Sequence, residues 1–153
     1  MARSVGMDRT VANLLHGKGH NVFSIGPGAS VHAALEMMER RRVGALVVTE
    51  EGKLVGIISE RDFARKMITA DAGPRDMLVS DIMTTKVHTV TPEQTVGDCM
   101  SIMTNRRFRH LPVLDENEKL AGVISIGDVV SAVISDQEHL IEDLERYITG
   151  TEY

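Results

Sequence analysis

Aromatic and sulfhydryl side chains are scarce: one cysteine, no tryptophan, three phenylalanines and two tyrosines in 153 residues. A lone Cys99 makes no internal disulfide, which excludes a disulfide-stapled scaffold and makes a reducing cytoplasm the expected compartment. So few aromatics exclude a stacking platform for single-stranded nucleic acid. Basic charge is in short supply as well. The 17 Lys and Arg face 22 Asp and Glu, a net charge of −5, which argues against nucleic acid as a partner. No apolar run approaches the roughly 20 residues that span a bilayer. Residues 1–8 lack the apolar segment of a secretory signal. What is plentiful is aliphatic: 42% of residues are hydrophobic, with nine methionines as adaptable filler. That suffices for one compact domain or for two small halves sharing a core.

The chain is organised around a stretch that occurs twice, Gly56-Ile57-Ile58-Ser59-Glu60-Arg61-Asp62 and Gly122-Val123-Ile124-Ser125-Ile126-Gly127-Asp128. Each copy reads as the end of a buried strand breaking into a helix, with a hydroxyl and a carboxylate three residues apart. Taken singly, Ser-x-x-Asp is a helix-capping signature. The surroundings also recur, however. Pro27/Pro92, Val31/Val96, Met38/Met103, Arg42/Arg107 and Leu46/Leu111 agree at a shift of 65. Gly56/Gly122, Ser59/Ser125 and Asp62/Asp128 agree at 66. Identity at glycines, prolines and polar positions together marks a true internal repeat. Two such helix starts can face shared clefts, and the chemistry suits a phosphorylated ribose. The helix N-terminus favours phosphate, and the carboxylate accepts from sugar hydroxyls.

Periodicity predicts a short helix over 9–16 ended by the flexible bend Gly17-Lys18-Gly19-His20, and a strand Val22 to Ile25. A helix from Val31 to about Arg41 follows. A hairpin comprises Leu46 to Val48 and Leu54 to Ile58, and a helix runs from about Glu60 to Ala70. The second half predicts a strand Val87 to Val90, a helix starting at Thr91-Pro92-Glu93-Gln94 with Pro92 in its first turn, a hairpin of Leu111 to Leu114 with Leu120 to Ile124, and a helix Asp128 to Ile134. Residues 136–149 form a charged helix with Leu140, Ile141, Leu144 and Ile148 on one side, which either packs back on the module or pairs with a second copy. The expected divisions are 1–20 as N-terminal segment and short helix, 21–74 as first repeat, 75–135 as second repeat and 136–153 as C-terminal helix.

The duplicated Gly-x-x-Ser-x-x-Asp segments, the strand Arg109-His110-Leu111-Pro112-Val113, and Asp81-Ile82-Met83-Thr84 opening the second repeat together resemble a tandem pair of CBS domains. This is the Bateman module, here of the stand-alone bacterial type, and the resemblance runs from about Thr10 to Ser135. It implies an α/β (α+β) fold of two β-α-β-β-α repeats related by pseudo-twofold symmetry, with extra N- and C-terminal helices. It also implies a non-catalytic signal-transduction module that binds adenosine-containing ligands and forms disc-like homodimers. AMP or NAD(H) heads the expected ligands, with ATP, ADP and S-adenosylmethionine as further options, and no metal is expected.

Carried over position by position, the resemblance places Asp128 on ribose hydroxyls in the site of the second motif. Ser125 and Gly127 stand close to the sugar–phosphate and Arg109 and His110 meet phosphate, with Pro112 and Val123 also counted among the ligand-binding residues. The adenine of that site would lie near Lys18, Val22, Phe23, Val43 and Gly44. In the site of the first motif, Asp62 and Ser59 take the same roles, flanked by Ile57 and Arg61. The opposing wall comes from Thr84, Lys86, Val87, His88, Phe108 and Arg109. The two sites differ, since Gly44-Ala45 stands where the second repeat has Arg109-His110, and Arg61 where it has Gly127. The expectation is therefore two pockets with different phosphate preferences, one for a mononucleotide and one for a larger ligand such as a dinucleotide.

Other residues read more plainly. His16 and His20 suit a metal only on one continuous helix, and the glycines between and beside them argue for surface histidines instead. Cys99 aligns with Ala34, which favours a small buried thiol. Arg40 to Arg42 and Arg106-Arg107 read as solvated helix ends. Two alternatives to a sensor stand: a small nucleotide-hydrolysing enzyme using the same cleft, against which the lack of an activated nucleophile counts, and a purely structural dimer whose capping boxes never meet ligand.

Overall fold

The computed structural model describes residues 7–19 and 21–149. Along the chain run α1 (Val11–Lys18), β1 (Ser24–Ile25), α2 (Val31–Arg41), β2 (Ala45–Glu50), β3 (Lys53–Ser59), α3 (Glu60–Met67) and α4 (Val79–Ile82). Then come α5 (Val96–Arg106), β4 (His110–Leu114), β5 (Leu120–Ser125) and α6 (Ile126–Thr149). Two repeats of mixed helix and strand are present, as the resemblance implies. The described residues form two compact units. One holds residues 7–19, 89–117 and 122–149; the other holds 21–88 and 118–121.

The duplication visible in the sequence is repeated in the backbone. Helices α2 and α5 are both 11 residues long, capped at the N-terminus by Ser30 and Thr95. Each stops at an arginine in the left-handed region, Arg42 (φ 55°) and Arg107 (φ 59°). Strand β1 pairs parallel with β2, which pairs antiparallel with β3. The two-residue loop between β2 and β3 places Glu51 and Gly52 at positive φ, as a type I′ hairpin requires. In the second hairpin the extra residue alters the turn: the Asp115 carboxylate accepts from the Asn117 amide at 2.8 Å, and Glu118 takes the left-handed position of Gly52.

The cores follow the same pairing. Val31, Ala34, Met38, Leu46, Val48 and Ile58 are buried in one unit, and Val96, Cys99, Met103, Leu111, Val113 and Ile124 in the other. Each fully buried aliphatic side chain contributes about 1.5–3 kcal/mol relative to exposure. The segment before each repeat completes the core of the unit built on the other repeat. The Val11 amide donates to the Gln94 carbonyl, and the Val79 amide to Ala29, both at 2.8 Å. These preceding segments match at a shift of 68 (Val11 with Val79), three more than the repeats themselves. Leu15 and Met83 are accordingly the side chains lying over Gly122 and Gly56.

Several expectations are corrected. Gly17 does not end the first helix: α1 continues through it to Lys18, and Gly19 (φ 101°) closes it by donating to the Leu15 carbonyl at 2.7 Å. The expected strand Val87 to Val90 shrinks to one parallel bridge, Val90 to Val113. The strand expected over Val22 to Ile25 is only Ser24–Ile25, and α3 ends at Met67 rather than Ala70. The helix expected to start at Thr91-Pro92 starts instead at Val96, where Thr95 supplies the cap, and helix α4 has no counterpart in the sequence reading. The two helices expected over 128–134 and 136–149 are one helix of 24 residues, because Ser135-Asp136 contains neither Gly nor Pro to break it.

Candidate functional site

Both Ser-x-x-Asp motifs sit where a strand turns into a helix, and both form the cap that their spacing dictates. At the first, the Ser59 hydroxyl oxygen accepts from the Asp62 amide at 3.1 Å while Asp62 Oδ2 accepts from the Ser59 amide at 2.9 Å and from its hydroxyl at 3.0 Å. At the second, Asp128 Oδ2 accepts from the Ser125 amide at 2.7 Å, and the Ser125 hydroxyl oxygen accepts from the Asp128 amide at 3.2 Å. Capping therefore uses one carboxylate oxygen and leaves the other, Oδ1, outside the cap in each motif. The carbonyls of Gly44 and Arg109 take the first amide of the following helix, from Glu60 at 3.1 Å and Ile126 at 2.9 Å.

Beyond the cap the motifs part company. Asp62 Oδ1 accepts from the Thr84 hydroxyl at 3.2 Å. Thr84 is held by a two-bond antiparallel bridge to Ile57, 2.8 and 3.0 Å long. Gly56 permits that approach, since a Cβ there would stand 2.9 Å from the Thr84 carbonyl oxygen. Asp128 instead forms an ion pair with Lys18. The Lys18 ammonium also donates to the Val123 carbonyl at 2.7 Å, and Val123 is the counterpart of Ile57. A lysine side chain at the end of α1 thus bonds where the other unit uses a backbone bridge. The resemblance puts Lys18 near the adenine of the Asp128 site. The structure brings it to the carboxylate, 110 residues away, a contact that no local pattern announces.

Electrostatics sharpen the contrast. Lys18, Arg109 and His110 belong to the unit of Asp128. His110 is half-buried, and its imidazolium is disfavoured first by burial, then by Lys18 and Arg109, with Asp128 opposing. Its pKa is lowered from the usual value. Around Asp62 the expected cation is Arg61, which is exposed on the first turn of α3. At the matching Gly127 a Cβ would meet only the Ser125 hydroxyl oxygen at 3.6 Å, so space does not dictate the glycine.

The remaining expected residues divide between the units. Val22, Phe23, Val43, Gly44, Ile57, Thr84, Lys86, Val87 and His88 lie with Asp62; Phe108, Pro112 and Val123 lie with Asp128. Phe23 lies under the Arg41 guanidinium, 5.0 Å from its ring centre, a cation–π contact. Lys86 is exposed, while Val87, His88 and Phe108 are half-buried. Pro112 is buried, and its carbonyl accepts from the Val90 amide at 3.0 Å. His16 is exposed on an unbroken helix, and His20 lies outside the described residues. Among the described residues no cluster of three or more His, Cys, Asp or Glu could hold a metal, and no helix is long and apolar enough to cross a membrane. Both motif serines serve as helix caps, and Cys99 is fully buried, its thiol pushed up to about 11, first by burial and then by the neighbouring Asp98.

Comparison with known proteins gives a consistent picture. The sequence model of the CBS domain matches residues 18–69 and 79–135. The mitochondrial CBS domain-containing protein CBSX3 of Arabidopsis thaliana is 42% identical over 126 residues, which cover 79% of this chain but only 61% of that protein. A crystallised putative signal-transduction protein with CBS domains from Burkholderia ambifaria is 41% identical, with a TM-score of 0.80 over 84% of this chain and 96% of that one. CBSX2, crystallised in complex with AMP, is 28% identical, with a TM-score of 0.66 over 83% of this chain and 97% of that one.

Proposed function

The chain belongs to the CBS-domain family, and on that premise we propose that it is a non-catalytic regulatory module that senses adenosine-containing nucleotides and relays their level to a partner protein. The observation that carries this reading is the pair of capped carboxylates. In each, Oδ1 takes no part in capping, and a carboxylate so placed at a helix start suits the hydroxyls of a ribose. The AMP bound by CBSX2 favours AMP as the mononucleotide. NAD(H), ADP and ATP remain within the class, and S-adenosylmethionine marks its phosphate-free edge.

The two motifs take different ligands in this reading. Lys18 and Arg109 give the Asp128 site a cationic surround fitted to phosphate, with His110 beside them as an imidazole whose charged form is disfavoured, whereas Asp62 has a hydroxyl partner and one outlying arginine. The module is a homodimer acting in a reducing, cytoplasmic setting where Cys99 remains a thiol. Ligand that binds only the folded chain adds about 2.7 kcal/mol at 100 times Kd, enough to bias a conformational equilibrium.

A thermal-shift panel of AMP, ADP, ATP, NAD+, NADH, S-adenosylmethionine and GMP, with chromatography of each nucleotide afterwards, tests the reading. At 100 times Kd, melting rises by about 5–11 °C with the adenosine ligands, and no nucleotide is consumed. Turnover identifies an enzyme, and a flat panel identifies a structural module. Calorimetric titration of Asp62→Ala and Asp128→Ala separately tests the two-site claim, and identical ligand profiles in both variants remove it.

A further inference from the structure

Eight of the ten exposed large hydrophobic side chains among the described residues fall on one element, α6, where they are between 44% and 87% exposed. Their spacing is heptad. Ile134, Ile141 and Ile148 recur every seven residues, and Val130, Gln137 and Leu144 recur between them, three residues after one isoleucine position and four before the next. That is the a/d seam of a coiled coil sustained over three turns of the repeat. The N-terminal part of α6 packs through Val129 and Ala132, which are buried. From Gln137 to Ile148 every side chain is exposed. A helical stretch of about a dozen residues without tertiary packing is marginal in water.

We propose that α6 pairs with α6 of a second copy as a parallel, in-register, two-stranded coiled coil running from Val130 to Ile148. Three features select this occupant and orientation. Isoleucine fills all three a positions and leucine the d position at 144, the combination that favours two parallel strands, and Gln137, the single polar seam residue, meets its own copy only when the strands are in register. Glu138 and Glu145 form one flanking row. Antiparallel pairing sets that glutamate row against its copy; parallel pairing lays it beside Leu140 and Tyr147, whose apolar surface the glutamate stems cover. The seven exposed side chains within that span together present on the order of 800 Å², about what one partner contributes to a standard-size interface. The acidic helix is also a poor match for a membrane surface, which attracts basic faces.

The inference makes specific the homodimer part of the proposed function and is independent of the ligand. Its test uses the full chain. Light scattering gives the mass of the wild type and of Ile141→Glu/Leu144→Glu, with circular dichroism to show that the altered chain is folded. The expected result is a dimer whose mass falls twofold in the variant. A wild-type monomer, or a dimer that survives the double substitution, overturns the seam. Orientation is read from Ile148→Cys under mild oxidation, since facing a positions of parallel strands lie within disulfide reach and the native Cys99 is buried. Ile148→Cys is expected to cross-link to itself. Cross-linking that occurs only when Ile148→Cys is mixed with Val130→Cys shows antiparallel pairing and overturns the proposal. Nucleotide shifts that persist in the monomeric variant leave the sensor reading intact, so the two fail separately.

Discussion

Replacing Gly56 by alanine perturbs the Asp62 site from underneath without touching a polar group. The new Cβ would lie 2.9 Å from both the Thr84 carbonyl oxygen and the Met83 sulfur. The methionine can swing away; the carbonyl cannot, because the Thr84 backbone is bonded to Ile57 in both directions, at 2.8 and 3.0 Å. The strand edge must therefore open, stretching that bridge and the 3.2 Å bond from the Thr84 hydroxyl to Asp62. Overpacking of this kind costs about 1–3 kcal/mol. The alanine recovers about 0.4–1 kcal/mol by restricting the unfolded chain, so at mid-range values the net loss is about 1.3 kcal/mol. For a chain of this size that lowers Tm by about 3–5 °C. Equilibrium urea unfolding and a thermal melt both read it. Gly122→Ala has the same sign, since its Cβ would stand 2.5 Å from Cδ2 of the buried Leu15. An unchanged or higher melting point in Gly56→Ala refutes the claim that glycine is needed there to seat the Thr84 segment.

Gly17→Ala predicts the opposite outcome. The position is inside α1 with nothing within 4 Å of a Cβ, so alanine stabilises by about 0.5–1 kcal/mol, read as a raised urea midpoint. His110 makes stability depend on pH. Its folded pKa lies below the unfolded value of about 6.5, so the unfolded chain binds the proton first. The contribution is therefore complete above about pH 6.5 and is lost as pH falls through the folded pKa. Urea midpoints between pH 5 and 8 should show that loss, and His110→Gln should flatten it. Cys99, buried with a thiol held near 11, should resist a thiol-specific reagent at pH 8 until the chain is unfolded. Labelling of the folded protein at the rate of a free thiol contradicts this placement.

The sequence was most informative where local chemistry and duplication agree. Ser59, Asp62, Ser125 and Asp128 form the caps that their three-residue spacing dictates, and the aliphatic pairs Val31/Val96 and Leu46/Leu111 are buried as their alignment implies. What stayed hidden is what depends on distant packing. Gly17 reads as a helix breaker, yet α1 is held in place by Leu14 and Leu15 in the core, and packing overrides the intrinsic penalty of one glycine. Strand Val87 to Val90 is apolar enough to pair, but only Val90 reaches β4. The resemblance puts Thr84 in the Asp62 site and Lys18 in the Asp128 site, but their direct bonds to the two carboxylates stayed hidden for the same reason. The segments that supply Lys18 and Thr84 precede the repeats and follow a shift of 68, so an alignment made at 65 sets Lys18 against Met83 and hides its match to Lys86. The continuity of α6 was legible in principle, since no breaker stands between Ile134 and Gln137.

The central claim is that Asp62 and Asp128 hold the diol of a ribose. Calorimetric titration of the wild-type chain with AMP and with its 2′,3′-dideoxy counterpart tests it most directly. Hydrogen bonds to a charged carboxylate are worth about 1.5–3 kcal/mol, so removing the hydroxyls should weaken binding by about 10- to 100-fold. Equal affinity for the two nucleotides would show that the carboxylates do no more than cap their helices.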